Sequence, residues 1–104
     1  MSKYKNIKVE VDGFKFDSKS EARYYGILKM RKLAGELDFE RQVKYDLVVN
    51  GVLIGSYIAD FVLNIKGKKE VVDVKSAMTK KLPVYRIKKK LMLAVHGIEI
   101  IEVK

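Results

Sequence analysis

Cysteine is absent from this 104-residue chain, which removes disulfides, thiolate zinc sites and thiol nucleophiles together and fits a reducing compartment. Histidine occurs once, as His96, so a His-rich metal nuclease site is excluded and a Ser-His-Asp triad would lack support. Its place in the last turn of a helix makes it a helix-end cation or a core residue. No Gly-x-x-x-x-Gly-Lys-Ser/Thr loop precedes a helix, so nucleotide hydrolysis has no phosphate cradle. No apolar run approaches the length of a membrane span, and Met1 to Asn6 has no apolar signal core behind it. The expectation is a soluble cytoplasmic protein with no membrane partner. Proline occurs once, and no linker, repeat or low-complexity segment interrupts residues 1–104, which predicts a single domain.

Basic charge, by contrast, is abundant. Lys plus Arg number 22 against 13 acidic residues, for a net charge of +9, and a polyanion is the natural partner of such a surface. The charge also clusters. Lys80 and Lys81 lead into a helix carrying Arg86, Lys88, Lys89 and Lys90. Lysine suits phosphate charge better than bidentate base reading, so Lys80, Lys81, Arg86, Lys88 and Lys89 are expected to contact nucleic-acid backbone with little sequence preference.

Along the chain, Ile7, Val9 and Val11 alternate before Asp12-Gly13, with Phe14 and Phe16 after it, a type I′ hairpin pattern pairing Val11 with Phe14 and Val9 with Phe16. Two strands are marginal alone in water, so this arm must rest on the main body or on a second subunit. Ser18 and Glu21 form a capping box that opens a helix, which accounts for both residues structurally. The helix carries Ala22, Tyr25, Leu28 and Leu33 on one face and stops at Gly35 after Ala34. Gly26 inside it costs about 1 kcal/mol relative to alanine, which predicts a close approach to the sheet.

A strand from Gln42 to Val49 meets Asn50-Gly51, the strongest hairpin signal in the chain, and Val52 to Ile65 is the longest extended segment, with Gly55 as a bulge or bend. Val71 to Lys75 completes a meander. Pro83 opens a second helix with Ile87, Leu91 and Val95 at a four-residue step and Gly97 at its end. A strand across Ile98, Ile100, Ile101 and Val103 then lies parallel to the one ending at Lys75 if the crossover is right-handed. The fold class is α/β with a mixed sheet: an N-terminal β-hairpin arm (1–16) and an αβββαβ core (17–104).

The chemistry concentrates at Tyr57 to Phe61 and Glu70 to Lys75. On a strand, Asp73 and Lys75 point from one face. With Lys66-Gly67 as the turn, Ile65 pairs with Lys68 and Asp60 falls opposite Asp73; with Gly67-Lys68 it falls opposite Lys75. Ile58 and Val62 share the pleat phase of Asp60, and Val71 that of Asp73, so the acids interrupt apolar faces. Two carboxylates about 4 Å apart repel by roughly 4 kcal/mol at an effective dielectric near 20, and a divalent cation would offset this. The alternative is a solvated cross-strand salt bridge.

Ser18-Lys19-Ser20-Glu21-Ala22 at a helix start, Tyr57-Ile58-Ala59-Asp60-Phe61 and Val71-Val72-Asp73-Val74-Lys75, followed by a Lys-rich helix containing Tyr85, resemble the PD-(D/E)XK nuclease superfamily, and within it small phage-associated domains of otherwise unknown function. The resemblance spans about Val9 to Val103, and αβββαβ is also the superfamily's core. Ala59 stands where the family name has proline. The resemblance implies a restriction-endonuclease-like fold and an endonuclease hydrolysing DNA phosphodiesters with Mg²⁺ or Mn²⁺. Asp60 and Asp73 would ligate the metal with the Val74 carbonyl, Lys75 would position or help deprotonate the attacking water, and Glu21 would face the metal directly or through water. It further implies a phage-encoded homodimer that cuts branched DNA, such as Holliday junctions, in recombination or replication, with the hairpin arm as candidate interface. The rival expectation is a non-catalytic nucleic-acid-binding module, either double-stranded-RNA-binding-like or an inactive nuclease fold.

Overall fold

The structure, a computed structural model, describes residues 8–104; Ile7, expected to begin the first alternation, lies outside them with the rest of 1–7. The element order is β1 (Val9–Val11), β2 (Phe14–Phe16), α1 (Lys19–Leu33), β3 (Asp38–Val49), β4 (Val52–Ile65), β5 (Lys68–Val74), a 3₁₀ turn (Thr79–Lys81), α2 (Pro83–His96) and β6 (Ile101–Val103). After the two-stranded arm this is the expected αβββαβ order. β3 begins four residues before Gln42, and β6 is confined to the last part of the run from Ile98.

Three two-residue turns set the registers. Asp12-Gly13, Asn50-Gly51 and Lys66-Gly67 all have both residues at positive φ, the requirement of a type I′ turn, and glycine meets half of it without steric cost. The arm pairs Val11 with Phe14 and Val9 with Phe16 as expected. The Lys66-Gly67 turn pairs Ile65 with Lys68 and runs to Phe61 opposite Val72, so the first of the two registers holds and the next residues outward are Asp60 and Asp73. β3 and β4 are antiparallel with a bulge where Leu47 pairs with Gly55 and Val48 with Leu53, at the predicted glycine. β6 adds parallel to β5, placing Glu102 beside Asp73, and the sheet order is β3-β4-β5-β6.

Two apolar clusters show how the helices flank the sheet. Phe16, Tyr25, Leu28, Leu37, Phe61, Leu63 and Val72 form one with α1; Leu47, Tyr57, Ala59, Val62, Val71, Met92 and Ile100 form the other with α2. Val71 and Val72 are successive on β5 and belong to different clusters, so the clusters lie on opposite faces of the sheet. The arm rests on α1 of its own chain: Phe16 is fully buried and stacks on Tyr25 at 5.0 Å between centroids, and Arg41 lies over the Phe14 and Phe16 rings. Burying one such phenylalanine contributes about 2–3 kcal/mol.

Several sequence expectations are corrected. Leu33 is 86% exposed because α1 buries Tyr25 and Leu28 while its last turn runs past the edge of the apolar cluster. Ile87 is 58% exposed and α2 fully buries only Met92, with Tyr85 and Leu91 beside the cluster; a four-residue step drifts around the helix, so the face read from Ile87 is rotated off the true one. Gly26 does not mark a close approach, since a Cβ there would meet nothing within 4 Å. Ile58 and Val62 do not share a face either: Ile58 is exposed and Val62 is buried against α2.

That last correction has a structural cause. In β3, Phe39 and Arg41 lie on the α1 side, whereas Val43, Tyr45 and Leu47 lie on the α2 side. In β4, Tyr57 and Ala59 face α2, whereas Phe61, Leu63 and Ile65 face α1. An unbroken pleat would keep each odd-numbered series on one side. Both strands therefore change phase at one level, between the pairs Val43–Ala59 and Arg41–Phe61, where Gln42 stands across from Asp60. Gln42 has φ of +52°, and this left-handed residue turns β3 over.

Candidate active site

Asp60 and Asp73 occupy the level at which the sheet changes phase, and their carboxylates take over its hydrogen bonding. The Asp60 amide donates to Asp73 Oδ1 at 3.0 Å, and the Val74 amide donates to Asp60 Oδ2 at 2.9 Å. Each side chain thus replaces a ladder carbonyl, which holds both carboxylates rigidly and leaves one oxygen of each for other use. Asp73 is 1% exposed, and its Oδ2 is buried with no hydrogen-bond partner. Lys75 Nζ lies 3.7 Å from that oxygen, close enough for charge attraction but too far for a hydrogen bond. Burial, and then the Asp73 charge, push the Asp60 carboxyl up to about 7, with the Val74 amide and Lys75 opposing and Glu21 adding to the rise. Of the salt bridge considered from the sequence, the Asp73–Lys75 ion pair is present, but it is buried at the Asp73 end and closes no hydrogen bond.

Lys75 is held from both ends. Its amide donates to the Val103 carbonyl at 2.7 Å, and its ammonium sits 4.8 Å from the centroid of the Tyr85 ring, a cation–π arrangement. The Tyr85 hydroxyl donates to Glu102 Oε2 at 2.6 Å, and Lys89 reaches Glu102 Oε1 at 3.3 Å. Burial raises the Tyr85 phenol, and its bond to Glu102 adds to the rise. The Tyr57 hydroxyl is buried and closes no hydrogen bond, but it approaches the Asp73 carboxylate: burial, then the Asp73 charge and that side-chain approach, raise its phenol.

Glu21 is 6% exposed at the start of α1. The Ser18 hydroxyl accepts from the Glu21 amide at 3.1 Å, so half of the predicted capping box forms. The Glu21 side chain, however, meets the Gln42 amide at 3.5 Å; its orientation is set by the site as well as by the cap. Burial, and next the Asp17 charge, raise its carboxyl, with Arg41, the Asp17 amide and Lys75 acting the other way. Glu21, Asp60, Val74 and Lys75 line one cleft of about 650 Å³ together with Asp17, Ser18, Thr79 and Lys104. Asp73 lies beneath it. Among the described residues no three carboxylate, histidine or cysteine side chains converge as a ready metal cage, so Glu21 shares the cleft without completing a three-ligand group.

A family model described as Protein of unknown function (DUF1064) matches residues 1–100. The chain belongs to the DUF1064 family. No curated protein and no solved structure is matched.

In this DUF1064 chain the predicted phosphate contacts divide. Lys80, Arg86 and Lys89 line a second cavity of about 310 Å³ with Lys90, Glu99 and Glu102, whereas Lys81 is exposed away from it and Lys88 is half-buried. Lys89 is partly neutralised by Glu102. His96 is exposed in the last turn of α2, with Nε2 2.7 Å from the Asp46 carbonyl and its ring against Tyr45, so it pins helix to strand and stands apart from the cleft. Sequence reasoning missed Gln42, Tyr57, Glu102 and Lys104. The pairing of Tyr85 and Lys75 carries no signal at any fixed spacing, and a left-handed residue inside a strand leaves none either. No helix of the described residues is long and apolar enough to cross a membrane.

Proposed function

We propose that this chain is a metal-dependent deoxyribonuclease of PD-(D/E)XK type that hydrolyses DNA phosphodiesters. The observation that carries the reading is the aspartate pair: two carboxylates fixed by the Asp60 and Val74 amides of the facing strands, one oxygen buried without a hydrogen-bond partner, and a lysine beside them. A fold gains nothing from an orphaned, repelled carboxylate, whose cost is about 1–3 kcal/mol or more, unless something else occupies the site. The donors fit a hard divalent cation such as Mg²⁺ or Mn²⁺: they are all oxygens, from Asp60, Asp73 and the Val74 carbonyl, with Glu21 in the same cleft. Such an ion, when bound, would stabilise negative charge on the scissile phosphate and lower the pKa of a coordinated water.

The chain's own groups supply the rest. The Tyr85 ring and Glu102 hold Lys75 so that its ammonium faces the cleft beside Asp73, where it orients a water and offsets charge growing on the phosphate. Water oxygen attacks phosphorus in line, the bond to the leaving oxygen breaks, and the proton lost by water passes to a basic group at the site. Lys80, Arg86 and Lys89 extend a positive surface from this point and would track flanking phosphates. Branched DNA is the proposed substrate. A homodimer is the proposed assembly, since resolving a branch requires two cuts; the arm's packing on its own α1 leaves Phe14 half-exposed at its tip.

The test is cleavage of labelled four-way-junction, flap, duplex and single-stranded DNA with Mg²⁺, Mn²⁺ or EDTA, running Lys75→Ala beside the wild type. Metal-dependent cutting that disappears in the variant while DNA binding survives is the expected result. Binding without cutting of any substrate, indifferent to metal and to Lys75→Ala, would leave a basic nucleic-acid-binding module on a nuclease-like fold.

A further inference from the structure

Four residues other than glycine have positive φ among the described residues: Asp12, Asn50, Lys66 and Gln42. Three of them precede a glycine in a hairpin turn, where type I′ geometry demands it. Gln42 does not. It lies inside the twelve-residue strand β3, with paired residues on both sides of it, and a left-handed residue that is neither glycine nor asparagine costs on the order of 1–2 kcal/mol there. Two consequences of that conformation are visible. β3 changes pleat phase, so that Arg41 packs on the arm while Val43 packs under α2. The Gln42 side chain is also placed toward α1, with Nε2 3.5 Å from Glu21 Oε1, at the level of Asp60.

We propose that Gln42 is a positioning residue: its strained backbone and its carboxamide together aim the Glu21 carboxylate into the cleft that holds Asp60 and Asp73, and so set the affinity of that site for a divalent cation. This rests on reading the aspartate pair as a cation site. The Asp17 amide and the Arg41 and Lys75 charges also act on the Glu21 carboxylate, but Gln42 is the side chain within hydrogen-bond reach of its Oε1. The Glu21 amide is committed to Ser18, its carboxylate is buried, and its contact with the exposed carboxamide of Gln42 is long enough to tighten when a cation draws the carboxylate inward. A neutral amide can orient an anion without competing for the cation, which a lysine or arginine at this position would do.

Three variants separate the backbone from the amide. Gln42→Gly and Gln42→Ala both delete the carboxamide, but only glycine accepts the left-handed conformation freely; Gln42→Asn tolerates it and keeps a shorter amide. Thermal unfolding in EDTA should place Gln42→Gly at or above the wild type and Gln42→Ala below Gln42→Gly. Calorimetric titration with Mn²⁺ should show both deletions weakened by about 10-fold or more, with Gln42→Asn between them and the wild type. In the double variant Glu21→Ala/Gln42→Gly, the second substitution should add nothing to the first.

Wild-type-like Mn²⁺ affinity in Gln42→Gly would overturn the inference while leaving the aspartate site standing, as would fully additive losses in the double variant. A Gln42→Gly protein that unfolds well below Gln42→Ala would overturn the strain argument. A wild-type protein that takes up no Mn²⁺ in the same titration would overturn the cation site and this inference with it.

Discussion

Asp12, at the tip of the first hairpin, and the Asp60–Asp73 pair, at the root of the β4–β5 hairpin, are aspartates placed near a lysine by similar turns, and they end in opposite states. Asp12 is exposed, accepts from the Tyr25 hydroxyl at 2.9 Å and pairs with Lys29, and the bond to Lys29 holds its carboxyl below the ordinary range, with the Tyr25 bond adding to it. Asp60 is pushed up by burial and by Asp73, while the nearest ammonium stands off at 3.7 Å from Asp73. Asp12 has all the partners a carboxylate needs and serves to fasten the arm to α1. The buried pair sets two carboxylates against one ammonium that no hydrogen bond joins to either, and the uncompensated charge is what the proposed cation would offset.

Substitutions at the two places should differ accordingly. The largest effect is expected from Asp73→Asn, which should lower metal-dependent DNA cleavage by about 10²-fold or more and abolish Mn²⁺ uptake by calorimetry, while the metal-free protein stays folded. Cleavage at the wild-type rate would remove Asp73 from the site.

Next in size is the pH dependence of the metal-free protein. The folded-state pKa of Asp60, about 7, lies above its ordinary value of 3.8, so the folded state binds the proton more tightly than the unfolded state. The group's destabilising contribution is therefore absent below about pH 4 and grows as the pH rises through 7. The unfolding midpoint in EDTA should fall between pH 5 and pH 8 by an amount equivalent to a few kcal/mol at most. Asp60→Asn should flatten that slope, and saturating Mg²⁺ should raise the wild-type midpoint more at pH 8 than at pH 5. A metal-free midpoint that rises over this range would mean that the pair is satisfied by a partner after all.

A smaller change is expected in the basic surface. Removing Lys80 and Arg86 together should weaken binding of all DNA shapes alike and reduce the slope of log affinity against log salt by about 2; an unchanged slope would show that the nucleic acid runs elsewhere. The smallest effect belongs to Asp12→Asn. An exposed ion pair contributes little, so the melting midpoint should move barely beyond error near neutral pH, and cleavage should not change. A large loss of stability would mean that this exposed ion pair, and not the buried Phe16, holds the arm to α1.

The αβββαβ order was legible in the sequence because it is set locally, and so was the choice of facing Asp60 with either Asp73 or Lys75. Asp-Gly and Asn-Gly specify their own turns through glycine's positive φ; Lys66-Gly67 and Gly67-Lys68 were both open, and the positive φ of Lys66 and Gly67 settles the turn that brings position 60 opposite position 73. Ser18, Pro83 and the glycines after each helix set the helix ends by the same short-range logic. What failed was the assumption of unbroken periodicity. Alternation along β4 put Ile58 and Val62 together, and the strand changes phase between them; a regular step along α2 singled out Ile87, and the helix buries Met92 instead.

Composition, turn residues and spacing by themselves determined a cysteine-free basic chain, its element order and two possible registers for Asp60, since each depends on residues near one another in the chain or on a count between them. Only the tertiary structure decided that Asp73 is buried with an orphaned oxygen, that Lys75 lies on the Tyr85 ring held by Glu102, and that Gln42 bends back toward Glu21. Those facts depend on which distant surfaces exclude water from a group and which leave it a partner, and no local pattern encodes either.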